Sequence, residues 1–194
     1  MLIIVILTLL SMLLNFLQRR FSLTVILVYV VSLVALLIIY NQYINITFNA
    51  NNLFLGLLIG ILIYIIEVAV FFMITQNVLI VDFMFYFKGS INYLSFASSV
   101  MMLILEELIW RQLLFFNQDH CVLAIIVSSL GFGLSHIIFG KKQVLFKTAL
   151  GLILTLAYLL SHDILFVMSI HLSYNYFMLR KQGKEKDFYG YNRG

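Results

Sequence analysis

Successive apolar runs of about 20 residues, separated by short polar breaks, constrain this chain more than any other feature. That length is what an α-helix needs to cross the hydrocarbon core of a bilayer, and no proline interrupts any run. The runs fall at 1–17, 21–40, 53–75, 92–116, 121–139, 144–160 and 164–179. Composition agrees: 63% of residues are hydrophobic and 10% charged, against about 45–50% and about 25% in soluble domains. A compact core cannot hold so many apolar side chains, so lipid must cover the remainder. The expected fold class is all-α, a polytopic transmembrane bundle of about seven spanning helices. The apolar stretch VLIVDFMFYFK near 78–88 is only half a span and reads as an interfacial or re-entrant helix.

Charge gives the orientation. Arg19, Arg20, Lys88, Lys141, Lys142, Arg180, Lys181, Lys184, Lys186 and Arg193 are ten of the twelve basic residues. They share one side of the bundle if 78–88 does not cross, and the loops at 41–52, 117–120 and 161–163 then contain no Lys or Arg. The positive-inside rule places the basic side in the cytoplasm, with the N-terminus outside and the C-terminus inside. The protein is expected in a cell membrane, in contact with lipid, and nucleic acid is not among its partners. The first run lacks a basic leader and a small-residue cleavage site, and Arg19-Arg20 follows it, which suits an anchored helix. No repeat or linker divides residues 1–194, which read as a single membrane domain. Gly56-x-x-x-Gly60 reads as ordinary bundle packing. The tail 180–194 is polar and is expected to be mobile. Cys121 is a lone small hydrophobe.

Ionisable residues inside spans cost roughly 2.5–3.5 kcal/mol each by insertion scales, so each calls for an account. LEELIWRQLL holds Glu106, Glu107 and Arg111. Glu107 and Arg111 are four apart, on one helical face, in the favourable acid-before-base order. Glu106 points about 140° away from Arg111 in a regular α-helix and is left without an intrahelical partner. A spare carboxylate in a low-dielectric bundle suits a general base. His136 shares a stripe with Ser129 and Phe132, and His171 is stacked one turn from Asn175. Counting about 1.5 Å per residue puts His136 about 7 Å and His171 about 13 Å from the basic boundary, with Glu106 about 14 Å deep. Four polar groups on three helices therefore fall at compatible depths. Glu67 is a mid-membrane acid with no sequence partner. Lys147 is expected to snorkel to the inner surface. Trp110 reads as lining or lipid-facing, and His120 and His162 as solvated loop residues. No HExxH, GxSxG, P-loop or CxxC occurs.

At these positions the chain resembles the CPBP intramembrane proteases, the CAAX-protease and bacteriocin-processing (Abi) family. Glu106-Glu107-x-x-x-Arg111, Phe132-x-x-x-His136 and His171-x-x-x-Asn175 match its three motifs in order and spacing. Residues 90–179 would be the catalytic core, 1–88 the variable N-terminal helices, and 180–194 a cytoplasmic tail. Gln112 departs from the glycine that many members carry after the arginine.

The resemblance implies endopeptidase activity on a membrane-associated peptide or protein, without a covalent intermediate. Glu106 would be the base, holding water together with His136. His171 and Asn175 would stabilise the oxyanion, and Glu107 and Arg111 would brace the helix. A divalent metal such as zinc could sit on Glu106, His136 and His171, although the metal-free form is favoured. An alternative function is a non-enzymatic immunity or regulatory protein that binds a bacteriocin, a pheromone or a sensor partner. Neither the substrate nor the oligomeric state is legible, and the composition suggests a bacterial source.

Overall fold

The computed structural model of the protein describes residues 31, 46, 48–75, 93–115, 121–137 and 141–190. The runs expected at 1–17 and 21–40 (save residue 31), the segment 77–88 and His120 lie outside the described residues. The count of seven spans rests partly on those stretches. The described residues form α1 (Ala50–Thr75), α2 (Tyr93–Glu107), a π-helical segment (Leu108–Leu113), α3 (Cys121–Ser135), α4 (Lys141–Ser161) and α5 (Ile164–Gly190), with no strand among them. Two of these helices are long and apolar enough to cross a membrane, over Ala50–Val70 and Gln143–Ser161.

The helix starts are set by side-chain caps. Asn49 Oδ1 accepts the backbone N–H groups of Asn51 and Asn52 at 3.0 and 3.4 Å. Asp163 Oδ1 accepts those of Leu165 and Phe166 at 3.0 and 3.2 Å. Each satisfies donors that the first turn of a helix leaves without partners. The other Asp163 oxygen accepts from Asn52 Nδ2 at 2.9 Å, which ties the starts of α1 and α5 together. The turn between α4 and α5 is closed by His162 in a left-handed conformation (φ 51°), exposed as expected.

From that common end α1 and α5 run parallel. Gly56 and Gly60 lie against Ser169 and Ser173, and Tyr64 stacks on Phe177 with ring centroids 5.5 Å apart. α2 runs the opposite way: Phe96 near its start meets Tyr176 (6.0 Å), and Glu107 at its end meets His171. α1 therefore ends, and α2 begins, at the same end of the bundle. α3 and α4 form an antiparallel pair, with Gly133 against Thr148 and Ser128 bonded to Thr155 at 2.8 Å.

α1 shows both solvents of the fold. Gly56, Gly60, Tyr64 and Val68, at a spacing of four, are buried against α5. On another face Phe54, Leu58, Leu62 and Ile66 are 48–64% exposed. α3 and α4 carry similar exposed stripes, including Val122, Ile126 and Leu130, and Leu145, Leu152 and Leu156. Apolar patches of that extent are not kept by water-soluble monomers, and lipid is the solvent that fits them. The glycine pair serves packing within the chain. A methyl on Gly60 would overlap Ser173 Oγ and the Ile170 carbonyl, and backbone cannot move aside cheaply. Gly60→Ala is expected to lower stability by about 1–3 kcal/mol, measured by equilibrium unfolding in mixed micelles.

Three boundaries differ from expectation. The run at 92–116 is not one regular helix, because its ladder widens to π geometry over Leu108–Leu113 and returns to α-helix at Leu114. α3 stops at Ser135, short of 139. There Ser135 Oγ and His136 Nδ1 both donate to Phe132 O, at 2.7 and 2.9 Å, and the His136 N–H turns back to Gly133 O at 3.1 Å. These local side-chain bonds compete with helix propagation. Finally, the tail expected to be mobile continues α5 as far as Gly190. Its Lys, Gln and Glu residues are good helix formers, and no proline stops them.

Candidate active site

The site is built around the end of α2. Glu107 and Arg111 have no solvent exposure, and Glu107 Oε2 lies 3.2 Å from Arg111 Nε. This is the pair expected from the spacing of four, made as a charge contact whose N–H is not aligned for a hydrogen bond. Arg111 also donates from Nη2 to Gly151 O on α4 at 3.3 Å and lies over the Phe132 ring at 4.9 Å. The guanidinium thus joins α2, α3 and α4. Glu106, next in sequence, is also buried, and lies within electrostatic range of Arg111 and of Lys147.

Glu107 has a second partner that the sequence did not reveal. Its Oε1 is 2.6 Å from His171 Nδ1 on α5. A carboxylate accepts, so Nδ1 carries the proton, and Nε2 faces onward with its lone pair. The carboxylate thereby fixes the tautomer and the ring orientation of His171. One signal pointed this way. A carboxylate has two oxygens, Arg111 accounts for one of them, and a buried second oxygen needs a donor from another helix.

His136 is oriented by its own helix. Nδ1 donates to Phe132 O at 2.9 Å and lies 3.0 Å from Ser135 Oγ, so its Nε2 also keeps the lone pair. Phe132 is completely buried and touches three site groups. Its ring centroid is 5.0 Å from that of His136, 5.5 Å from that of His171, and 4.9 Å from the Arg111 guanidinium carbon. Gly151 lets α4 approach this ring, since a methyl there would meet Phe132 Cδ1 at 3.0 Å. The two imidazoles are within electrostatic range of each other. Asn175 lies one turn beyond His171 on α5 and is half-buried.

Other expected residues are placed as follows. Ser129 bonds within its own helix, to Ile125 O at 2.8 Å. Trp110 is neither lipid-facing nor exposed: it is 1% accessible, and its ring lies against Gly131. Its carbonyl, inside the π-helical segment, accepts from Ser128 Oγ at 2.9 Å, a cross-helix partner for the widened ladder. Lys147 does not snorkel. Its side chain is buried, with Nζ 4.5 Å from the Tyr174 ring centroid, and Tyr174 donates its hydroxyl to Glu67. Glu67 and Glu106 lie within electrostatic range of the ammonium.

Among the described residues, no three His, Cys, Asp or Glu side chains are grouped to hold a metal ion, and that includes Glu106, His136 and His171.

Comparison with known proteins gives one result. Residues 88–177 match a family model described as type II CAAX prenyl endopeptidase Rce1-like. No curated protein and no solved structure matches the chain. The matched stretch contains Glu106 to Arg111, Phe132 to His136 and His171 to Asn175, and α1 lies outside it. The three motifs that carry the family resemblance all lie inside this matched stretch, which is similar to the Rce1-like, CAAX-type endopeptidases.

Proposed function

We propose that the protein is a multi-pass intramembrane endopeptidase that hydrolyses a peptide bond of a membrane-associated peptide or protein. The observation that carries this reading is the convergence of half-buried His136 with buried His171 and Arg111 on one phenylalanine ring, with Glu107 bonded to His171. Water held between Glu106 and the His136 Nε2 lone pair gives a proton to the Glu106 carboxylate as its oxygen attacks the scissile carbonyl carbon. The carbonyl oxygen becomes an oxyanion. His171 takes a proton from solvent on Nε2 before the substrate enters, the Glu107 carboxylate on Nδ1 supporting the imidazolium. It donates from Nε2 to the oxyanion and returns that proton to solvent once product has left; the Asn175 amide is a second donor. The tetrahedral intermediate then collapses, the C–N bond breaks, and the proton on Glu106 passes to the leaving amine. Oriented donors of this kind contribute about 10²–10³ in rate each. No step uses a divalent metal. On this reading the C-terminus is cytoplasmic, an orientation supported by the distribution of Lys and Arg along the sequence, and the substrate enters from that half.

The test uses purified protein in liposomes with a quenched fluorescent peptide ending in a prenylated CAAX sequence, alongside its unprenylated twin. Wild-type protein is expected to cleave at least one probe. His136→Ala is expected to lower turnover by about 10²-fold or more. Cleavage is expected to survive a strong chelator; chelator-sensitive cleavage restored by zinc would place a metal on Glu106, His136 and His171. Absence of cleavage by the wild type, or undiminished cleavage by His136→Ala, overturns the reading.

A further inference from the structure

Buried Lys147 and Tyr174, with half-buried Glu67, form a second polar group that the proposed chemistry leaves unused. They come from α1, α4 and α5. Tyr174 has no solvent exposure and donates its hydroxyl to Glu67 Oε2, while the Lys147 ammonium sits over the face of the same ring at 4.5 Å. One aromatic ring is thus gripped at its polar tip by a carboxylate and on its face by a cation. A lone carboxylate or ammonium is costly at such a position, and the two offset each other. Lys147 also has Glu106 of α2, His136 of α3 and His171 of α5 within electrostatic range.

The location of the ring gives the grip its meaning. Tyr174 stands between His171 and Asn175 on α5, three residues after one and next to the other. A helix is stiff over a single turn, so fixing the Tyr174 ring fixes the direction in which both neighbours point. We propose that Glu67 and Lys147 are positioning residues for the hydrolytic reaction, clamping Tyr174 and so setting the rotation of the α5 turn that carries His171 and Asn175. The proposal rests on the peptidase reading for its reaction, and on the geometry alone for its coupling. It also gives α1 a part in the site, although that helix lies outside the segment matched to the family.

The experiment compares Lys147→Met, Lys147→Arg, Glu67→Gln, Tyr174→Phe and the double variant Glu67→Gln/Lys147→Met. Two readouts are taken: kcat and KM on the prenylated probe, and the ring-nitrogen resonances of isotope-labelled histidine in substrate-free protein. Lys147→Met is expected to lower kcat about tenfold, the size of a coupling within one network, with KM little changed. Lys147→Arg keeps the charge and stays near wild type. The double variant recovers part of the loss, because both charges leave together. The His136 and His171 resonances move in Lys147→Met and return in Lys147→Arg. Tyr174→Phe keeps the ring and removes one oxygen. It carries the test if Lys147→Met does not fold, and is expected to act in the same direction by a smaller factor. The proposal is overturned if kcat and both resonances stay at wild-type values in Lys147→Met, or in Tyr174→Phe where Lys147→Met does not fold. It is equally overturned if Lys147→Arg is as impaired as Lys147→Met and the double variant is no better. Resonances that follow the expected pattern in a protein that cleaves neither probe would sustain the coupling and sink the peptidase reading. Normal cleavage in every variant would do the reverse.

Discussion

Glu106→Gln is expected to fold normally and to lower cleavage of the prenylated probe by about 10²–10⁴-fold, the range for loss of a general base. The amide has the shape of the carboxylate and can still accept a hydrogen bond, so packing around this buried position is preserved. It cannot take a proton from water. Glu107→Gln separates the two neighbouring acids. Its amide oxygen can still accept from His171 Nδ1, but the negative charge facing Arg111 is gone. That variant is expected to lose stability together with part of its turnover, whereas Glu106→Gln loses turnover alone. Turnover in liposomes and the unfolding midpoint in micelles read the two effects separately. Near-normal cleavage by Glu106→Gln would transfer the base to another group.

Arg111→Met is expected to destabilise the fold by about 3–5 kcal/mol, the cost of leaving a buried charge without its partner. Arg111 has no solvent exposure, and its contacts are Glu107, the Gly151 carbonyl and the Phe132 face. Methionine fills much of the space but abandons the Glu107 carboxylate. The double variant Glu107→Gln/Arg111→Met is expected to recover a large part of the loss, because both charges leave together. Arg111→Lys is expected to rescue little. A point ammonium cannot reach Glu107 and Gly151 O at once while lying flat on an aromatic ring. Equilibrium unfolding of the four proteins checks this, and additivity of the two single effects would show that the pair is not coupled.

The parts of the fold legible in the sequence were those governed by solvent and by local chemistry. α1, α4 and α5 begin within three residues of their expected starts. Long apolar runs end at polar clusters, and Asn49 and Asp163 are natural caps. The Glu107–Arg111 contact followed from a spacing of four. What stayed hidden depended on partners distant in sequence. Hydropathy gives a lysine near a helix end the option of reaching the surface, and the Tyr174 ring that Lys147 covers instead, with Glu67 and Glu106 in electrostatic range, comes from distant parts of the chain. Likewise the second oxygen of Glu107 required a donor, but nothing local chose between the imidazoles of His136 and His171. Trp110 became a core residue because Gly131 leaves a gap for its ring. The π-helical segment had no signature in an apolar run whose residues all suit a regular helix.

That wide segment has a consequence for the register of the whole site. A π-helical stretch accommodates one more residue than an α-ladder of the same reach. Each residue in a regular helix turns the chain by about 100°. Leu108–Leu113 therefore works as a phase shifter between two halves of one rod: upstream Glu107 is dialled toward His171 on α5, and downstream the chain returns to α-helix at Leu114 and Phe115. Were one of those six residues removed, every group before it would swing through nearly a third of a revolution, and Glu107 would leave its imidazole without any change in its own identity.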